Sequence, residues 1–295
     1  MCAVGDEVSS LATVTAGPSN ITRVGEARAR ESLHAAIGQA CAAAGIEPRQ
    51  LQRACIGAAG AGRKEIAGVV RQIVCEVIPA EIVVVGDMAI ALEAAFGAGP
   101  GVIVIAGTGS IAYGRDAHGA TARAGGWGFA VSDEGSAHWI GRTATATLLR
   151  AADQADENDQ GAQEPSLLFR ELQAALKLDS LEQLARAANS NPDFAALLPA
   201  VLAAAENGDA VARQALTQAA AELARLAKII VRRLFSDSAA SPVPMAMAGG
   251  VFRHALKVRE LFYNEIRAAH SNVVLNDEVI EPVHGALQMA RRTSS

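Results

Sequence analysis

The stretch that most limits what this chain can become runs from Gly101 to Gly141, GVIVIAGTGSIAYGRDAHGATARAGGWGFAVSDEGSAHWIG. Val102–Ile105 is short, apolar and β-branched, which predicts a buried strand. It runs into Gly107-Thr108-Gly109-Ser110. Two glycines there let the backbone approach a ligand and turn its N–H groups inward, and two hydroxyls add donors, the chemistry of a phosphate cradle. A hairpin is predicted over Ser110–Gly114 and Thr121–Gly125, with Asp116 and Gly119 in its loop. Gly125-Gly126-Trp127-Gly128 and Ser132-Asp133-Glu134-Gly135-Ser136 then lead into an amphipathic helix. Ser132 is the predicted cap of that helix, and Asp133 and Glu134 suit its positive N-terminal end.

On either side, helix and strand alternate. Ser10–Ala16 leans to β, Glu26–Ala44 to helix with Gly45 at its C-terminal cap, Ala54–Ala58 to strand, Lys64–Ile78 to helix, Glu81–Val85 to strand and Met88–Phe96 to helix. That alternation predicts an α/β sheet with helical crossovers. Residues 136–235 are rich in alanine and leucine and read as almost wholly helical, with an exposed loop over Asp153–Glu164 and a break at Asn207-Gly208-Asp209. Val243–Ala248 is a strand ending in Gly249-Gly250, followed by a helix over about 251–269, a strand at Asn272–Leu275 and a helix at His284–Arg291. No short solenoid repeat is present.

At 295 residues the chain can bury one or two cores, and 51% hydrophobic with 19% charged residues places it among globular proteins. A net charge of −5 with scattered basic residues argues against nucleic acid as a partner, and 4% aromatic residues leave no stacking surface for single strands. No apolar run approaches the ~18 residues that span a membrane, and MCAVGDEVSS lacks a signal pattern. Cys2, Cys41, Cys55 and Cys75 have no metal-ligand spacing and read as reduced thiols of a cytoplasmic protein.

Glycines close three strand ends, at 57–62, 107–110 and 249–250. Ligands of α/β sheets collect at such ends, although glycine also simply terminates elements. There is no GxxxxGK[ST], no GxGxxG after the first strand, no HExxH and no GxSxG. Asp87, at a strand end, can take a proton from a hydroxyl that attacks phosphorus, or can cap the following helix. Asp133 is a first-turn dipole partner or an acceptor for sugar hydroxyls. Trp127 is a pocket wall or a core residue. Asn20, after Gly-Pro-Ser, reads as a turn residue, and His138 and His284 as structural.

AGPSN at 16–20, GD at 86–87, IAGTGS at 105–110, GGWG at 125–128, SDEGSAHWIG at 132–141, MAGGV at 247–251 and EPVHGAL at 281–287 together resemble the N-acetylglucosamine kinase branch of the BadF/BadG-type ATPase family. The order and spacing match over nearly the whole chain. The resemblance implies a two-domain α/β fold of the actin/hexokinase-like (ribonuclease H-like) ATPase type with an interdomain cleft. It implies an N-terminal domain over 1–100, onto which a helix at 284–295 packs back, and a C-terminal domain over 101–283 with a helical insertion at about 150–206. It implies ATP and Mg²⁺ as cofactors and an amino sugar, N-acetylglucosamine or glucosamine, phosphorylated on its 6-hydroxyl. Asp87 matches the catalytic base. Gly107, Thr108, Gly109, Ser110, Gly249 and Gly250 match ATP-binding positions, and Asn20, Gly126, Trp127 and Asp133 match sugar-binding ones. No metal ligands are assigned, and the oligomeric state stays open, a homodimer included.

The family begins with a strand running into Asp-Gly-Gly-Gly-Thr-Lys, a first phosphate loop that this sequence does not contain. A misassigned start, a truncated chain and a lost loop are the competing accounts. The expectation drawn from it is weak or no kinase activity for these 295 residues and an active enzyme in a version extended upstream. Two rival functions remain. One is a sugar sensor without catalysis. The other is an activator ATPase of a dehydratase, which the scattered cysteines disfavour.

Overall fold

A computed structural model of the chain describes residues 1–6, 9–154, 166–190, 192–236 and 241–292. They form two compact units, Met1–Ile103 with Ile280–Ser295, and Val104–Val279.

The first unit opens with the antiparallel strands β1 (Cys2–Gly5) and β2 (Ser10–Val14), Cys2 opposite Val14. The short helix α1 (Ile21–Val24) leads to α2 (Glu26–Ala44), which stops at Gly45, whose φ of 73° suits glycine. Strand β3 (Arg53–Ala58), helix α3 (Lys64–Cys75), strand β4 (Glu81–Gly86) and helix α4 (Asp87–Phe96) follow. β3 and β4 pair in parallel without a slip, from Arg53 opposite Glu81 to Ala58 opposite Gly86. Val4, Ile37, Ala40, Cys41, Val74, Ile78 and Ile82 make the core of this unit.

The strands of the first unit stay in two separate pairs, β1–β2 and β3–β4. Between them lies a cavity of about 390 Å³. It touches every residue of β1 and every residue of β3, and none of β2 or β4. Successive side chains of a strand point to opposite faces, so a space that meets consecutive residues must run along the strand's backbone edge. The cavity is therefore flanked by two open strand edges. Helix residues Leu33, Ile37, Val70 and Val74 line it with apolar side chains, and Cys2, Cys41 and Cys55 face it as free thiols. Burial pushes the Cys55 thiol up to about 11, which keeps it protonated and inert.

The second unit holds a five-stranded sheet in the order β7-β6-β5-β8-β9. β5 is Gly101–Ala106, and the predicted hairpin forms as β6 (Ser110–Arg115) and β7 (Thr121–Gly125), with Ile111 opposite Gly125. Helices α5 (Ala137–Asp153), α6 (Leu167–Leu176), α7 (Leu181–Ala188), α8 (Leu198–Glu206) and α9 (Ala210–Phe235) come next. Strand β8 (Val243–Ala248), helices α10 (Gly250–His254) and α11 (Leu256–Ala269), and strand β9 (Val273–Ile280) complete it. The long α9 buries an alanine-rich stripe that includes Ala212, Ala215, Ala219, Leu223, Leu226 and Ile230. Small residues let it come close to the sheet and loops, and fully burying side chains such as Leu223 or Ile230 stabilises by about 1.5–3 kcal/mol each. Asp209 starts α9 by accepting from the Ala212 N–H at 2.9 Å and also holds the Leu168 N–H at 3.0 Å. The chain then returns to the first unit as α12 (Pro282–Arg291), which lies on α4; a Cβ at Gly285 would stand 2.6 Å from the Ala94 nitrogen.

Four expectations are corrected. The helix after the glycine-rich stretch begins at Ala137, and its cap is Ser136, which accepts from the Trp139 N–H at 3.1 Å, not Ser132. Asp133 and Glu134 lie before its first turn, because Asp133 (φ 65°) and Gly135 (φ 81°) hold the chain in a left-handed course. The predicted helix at 251–269 is two helices, broken at Ala255. The last strand runs on to Ile280, since an edge strand can leave the polar Asn276, Asp277 and Glu278 in solvent. The polar loop expected over 153–164 lies almost wholly outside the described residues. Among the described residues no single helix is long and apolar enough to cross a membrane.

Candidate active site

In the second unit, four of the predicted ATP-binding residues form the turn between β5 and β6. The Gly107 N–H bonds across the turn to the Gly109 carbonyl at 2.9 Å, and the Gly107 carbonyl accepts from the Ala137 N–H at 2.8 Å. The N-terminal end of α5, the positive end of its dipole, thus backs the turn. Thr108 is exposed, whereas Ser110 is buried and its hydroxyl donates to the Glu134 carbonyl at 2.7 Å. The donors left for a ligand are the Thr108 hydroxyl and the N–H groups of Thr108 and Gly109, not the Ser110 hydroxyl. Gly249 lies against this turn. A Cβ there would stand 2.7 Å from the Ala106 carbonyl carbon and 3.0 Å from the Gly107 nitrogen. At Gly107 an added Cβ would meet nothing within 4 Å. A tight backbone seam beside an open glycine makes a cradle that a phosphate chain fits.

The Trp127 loop joins the same cradle through Asp133. This residue is 8% exposed; its carboxylate accepts from the Gly128 N–H at 3.3 Å and from the Ser110 N–H. Burial pushes its carboxyl above the usual carboxylate range, against the pull of those two N–H groups. Gly126 (φ 70°) packs on Ile111, where a Cβ would come within 2.7 Å. Trp127 is 69% exposed, so of its two readings the core one is wrong. His138 is buried between the rings of Phe129 and Phe194, at 5.0 and 5.3 Å, a packing role. His284, in contrast, is exposed on α12.

In the first unit, β4 delivers Asp87 directly into α4. Asp87 is the first residue of that helix and Gly86 is its cap, so the capping reading of Asp87 is replaced. Its carboxylate accepts from the Met88 N–H at 3.0 Å. Burial pushes the Asp87 carboxyl up, opposed by the backbone N–H groups of Met88 and Asp87. A raised carboxylate fixed at a helix start is equipped to accept a proton. Asn20 caps α1: its side-chain oxygen accepts from the Thr22 N–H at 3.2 Å and hydroxyl at 2.8 Å. That leaves its amide nitrogen as a donor.

Two residues of these loops escaped the sequence reading. Ser136, fully buried, sets where α5 begins. Arg123, on β7, lies over the indole of Trp127 with its guanidinium carbon 3.9 Å from the ring centre. Its only sequence signal is a basic residue two positions before a glycine pair.

These features define an α/β protein of the actin/hexokinase-like ATPase fold with a glycine-rich turn between β5 and β6. The solved structures agree. A proposed N-acetylglucosamine kinase from Chromobacterium violaceum superimposes with a TM-score of 0.72 at 25% identity, covering 96% of this chain and 91% of that one. A ROK family glucokinase from Streptomyces griseus, solved with glucose and AMPPNP, gives 0.56 at 17% identity, covering 97% and 93%. The model of the BadF/BadG/BcrA/BcrD ATPase family matches residues 1–290, and the chain belongs to that family. The N-acetylmuramic acid/N-acetylglucosamine kinase of Clostridium acetobutylicum is 31% identical over 286 residues, 95% of this chain and 90% of the relative. The N-acetyl-D-glucosamine kinase of Dictyostelium discoideum is 27% identical over 240 residues, 80% and 74% of the two.

Proposed function

We propose that the protein is an ATP-dependent amino-sugar kinase that transfers the γ-phosphoryl group to the 6-hydroxyl of N-acetylglucosamine or glucosamine. The observation that carries this reading is the cradle made by the 107–110 turn and Gly249, in a chain whose relatives are named as kinases of such sugars.

Each residue has a task. The N–H groups of Thr108 and Gly109 and the Thr108 hydroxyl hold phosphate oxygens, and Gly249 and Gly250 let the nucleotide approach backbone. Ser110 and Asp133 keep the turn in shape from behind. Trp127 offers an indole face to the sugar, Gly126 makes room beside it, and Asn20 and Asp133 serve sugar hydroxyls. Asp87 accepts the proton of the attacking hydroxyl as the oxygen–phosphorus bond forms. Mg²⁺, carried on the nucleotide's phosphates as is usual for this ion, neutralises their charge.

The test is ADP release with Mg-ATP and N-acetylglucosamine, glucosamine or glucose. Asp87→Asn is expected to lower kcat by about 10²–10⁴, the span of a lost general base, with little change in sugar affinity. The raised Asp87 carboxyl also sets a pH signature. Its native pKa lies above the unfolded one, so between the two values the native state holds a proton that the unfolded state lacks. Stability from this group therefore falls as pH rises through that window, and at neutral pH the ionised carboxylate opposes folding. Asp87→Asn should raise Tm at pH 7 even as it cuts turnover. Sugar-dependent turnover unaffected by the substitution would sink the assignment of Asp87.

A further inference from the structure

The cavity of the first unit has two walls of one kind. Every residue of β1 and of β3 borders it, and among the described residues no backbone hydrogen bond joins the two strands. β1 spends one edge on β2, and β3 spends one on β4. Each wall therefore turns a row of unpaired N–H and C=O groups towards the same space, and such rows are templates for another strand. Between the rows the lining is largely apolar. Packed helices α2 and α3 contribute Leu33 and Val70, and packed helices α4 and α12 contribute Ile90 and Leu287.

The dimensions select the occupant. β3 has six residues, so the slot is ~20 Å long. Over that length the volume of about 390 Å³ gives a cross-section of ~20 Å², close to the square of one strand spacing of ~4.8 Å. An α-helix, ~10 Å across, does not fit. An acyl chain would leave the edge groups of both walls unpaired, and water would leave the apolar lining wet. An extended polypeptide meets both demands: its backbone bonds to both edges and its side chains reach both helix pairs. No strand of the unit is spare, because β1 to β4 are already paired.

We propose that the first unit captures one extended segment of another polypeptide as its central strand, in the order β2-β1-guest-β3-β4. The guest is about six residues long, the length of β3, and apolar on both faces, a run of valine, isoleucine and alanine rather than an alternating pattern. Charge is excluded from its middle and tolerated at its ends, where Arg53 and Asp87 border the slot. This capture does not depend on the sugar-kinase reading.

The probes are end-blocked peptides with six-residue cores of valine, isoleucine and alanine in several orders, flanked by lysines for solubility. Calorimetry on the full chain measures binding, and hydrogen exchange locates it. A bound peptide should slow the fast amides of β1 and β3 and leave β5 unchanged. Alkylation of Cys2 and Cys55, on the slot walls, should slow, while that of the exposed Cys75, outside the slot, should not. Alternate residues of a strand aim their N–H groups at one edge, so N-methylation of every second core residue removes about three donors from one side. Methylation in either phase should weaken binding roughly 10- to 100-fold. Undiminished binding of a methylated peptide overturns the proposal, since the site then reads apolar surface and not backbone. So does weakening in one phase alone, which is growth of a single sheet rather than the joining of two. So does binding that leaves the β1 and β3 amides unchanged, or a fatty acid that shields Cys2 and Cys55 as well as the peptide does. If no peptide of the set binds, the slot is not a strand acceptor.

Discussion

One added methyl group should separate the packing of the proposed nucleotide cradle from its use. Gly249 has a φ of 99°, and an alanine there takes on about 1–2 kcal/mol for left-handed backbone. Its Cβ would also press on backbone, 2.7 Å from the Ala106 carbonyl carbon and 3.0 Å from the Gly107 nitrogen. Backbone cannot rotate away as a flexible side chain can, so the two loops must part, at an overpacking cost of about 1–3 kcal/mol. The sum is roughly 2–5 kcal/mol. At about 2–4 °C per kcal/mol for a body of this size, Gly249→Ala should lower Tm by roughly 4–20 °C. Gly107→Ala is the counterpart. Its φ is not left-handed and its Cβ would meet nothing within 4 Å, so Tm should stay within ~1 °C of wild type. The methyl would stand where a phosphate approaches, and the KM for ATP should rise at least ~10-fold, a loss of ~1.4 kcal/mol. Differential scanning calorimetry and an ATP titration on both variants decide the matter. Normal ATP affinity in Gly107→Ala would place the nucleotide elsewhere, and a wild-type Tm in Gly249→Ala would refute the seam between the two loops.

Two further outcomes are expected. Asp209→Ala should destabilise by about 2–3 kcal/mol in urea unfolding, because it removes the cap of α9 and strands the buried Leu168 N–H; a change under ~0.5 kcal/mol would contradict this double role. In native-state hydrogen exchange, β1 and β3 should show fast and slow amides in alternation, since each bonds on one edge only, while β5, with neighbours on both sides, should be protected throughout. Uniform protection of β3 would mean that its free edge is covered.

Most elements were legible because their punctuation is local. Gly45 and Gly97 end helices where predicted, and Asp209 begins one, each through a conformation or hydrogen bond within a few residues. The start of α5 was misplaced because the deciding contacts are distant. Gly135 is pinned by Leu223 and the Ala219 carbonyl on α9, nearly ninety residues away, and a local reading of Ser132-Asp133-Glu134 has no access to them. The same limit hid Arg123: nothing in the string ATARAGGWG says that the arginine folds back over the indole rather than out to solvent. Trp127 was ambiguous because a single tryptophan is usually core, and only the run of left-handed glycines turns it outward. At the 107–110 turn the residue types suggested a phosphate cradle, but not that Ser110 would spend its hydroxyl on the Glu134 carbonyl.

The division of the chain also sets an order in time. The second unit is one uninterrupted segment, Val104–Val279, whereas the first needs Met1–Ile103 and then Ile280–Ser295. During synthesis the second unit can close as soon as its own last strand has emerged. The first must wait for α12, because α4 keeps an uncovered face until Gly285 arrives to lie against Ile90 and Ala94. At ~5–20 residues per second, the ~180 residues between Ile103 and Ile280 take roughly 10–35 s to make. For that interval the N-terminal third of the protein stands on the ribosome as an incomplete body with apolar helix surface and two open strand edges, the state in which a nascent chain most needs a chaperone. The unit made first is therefore the last to finish.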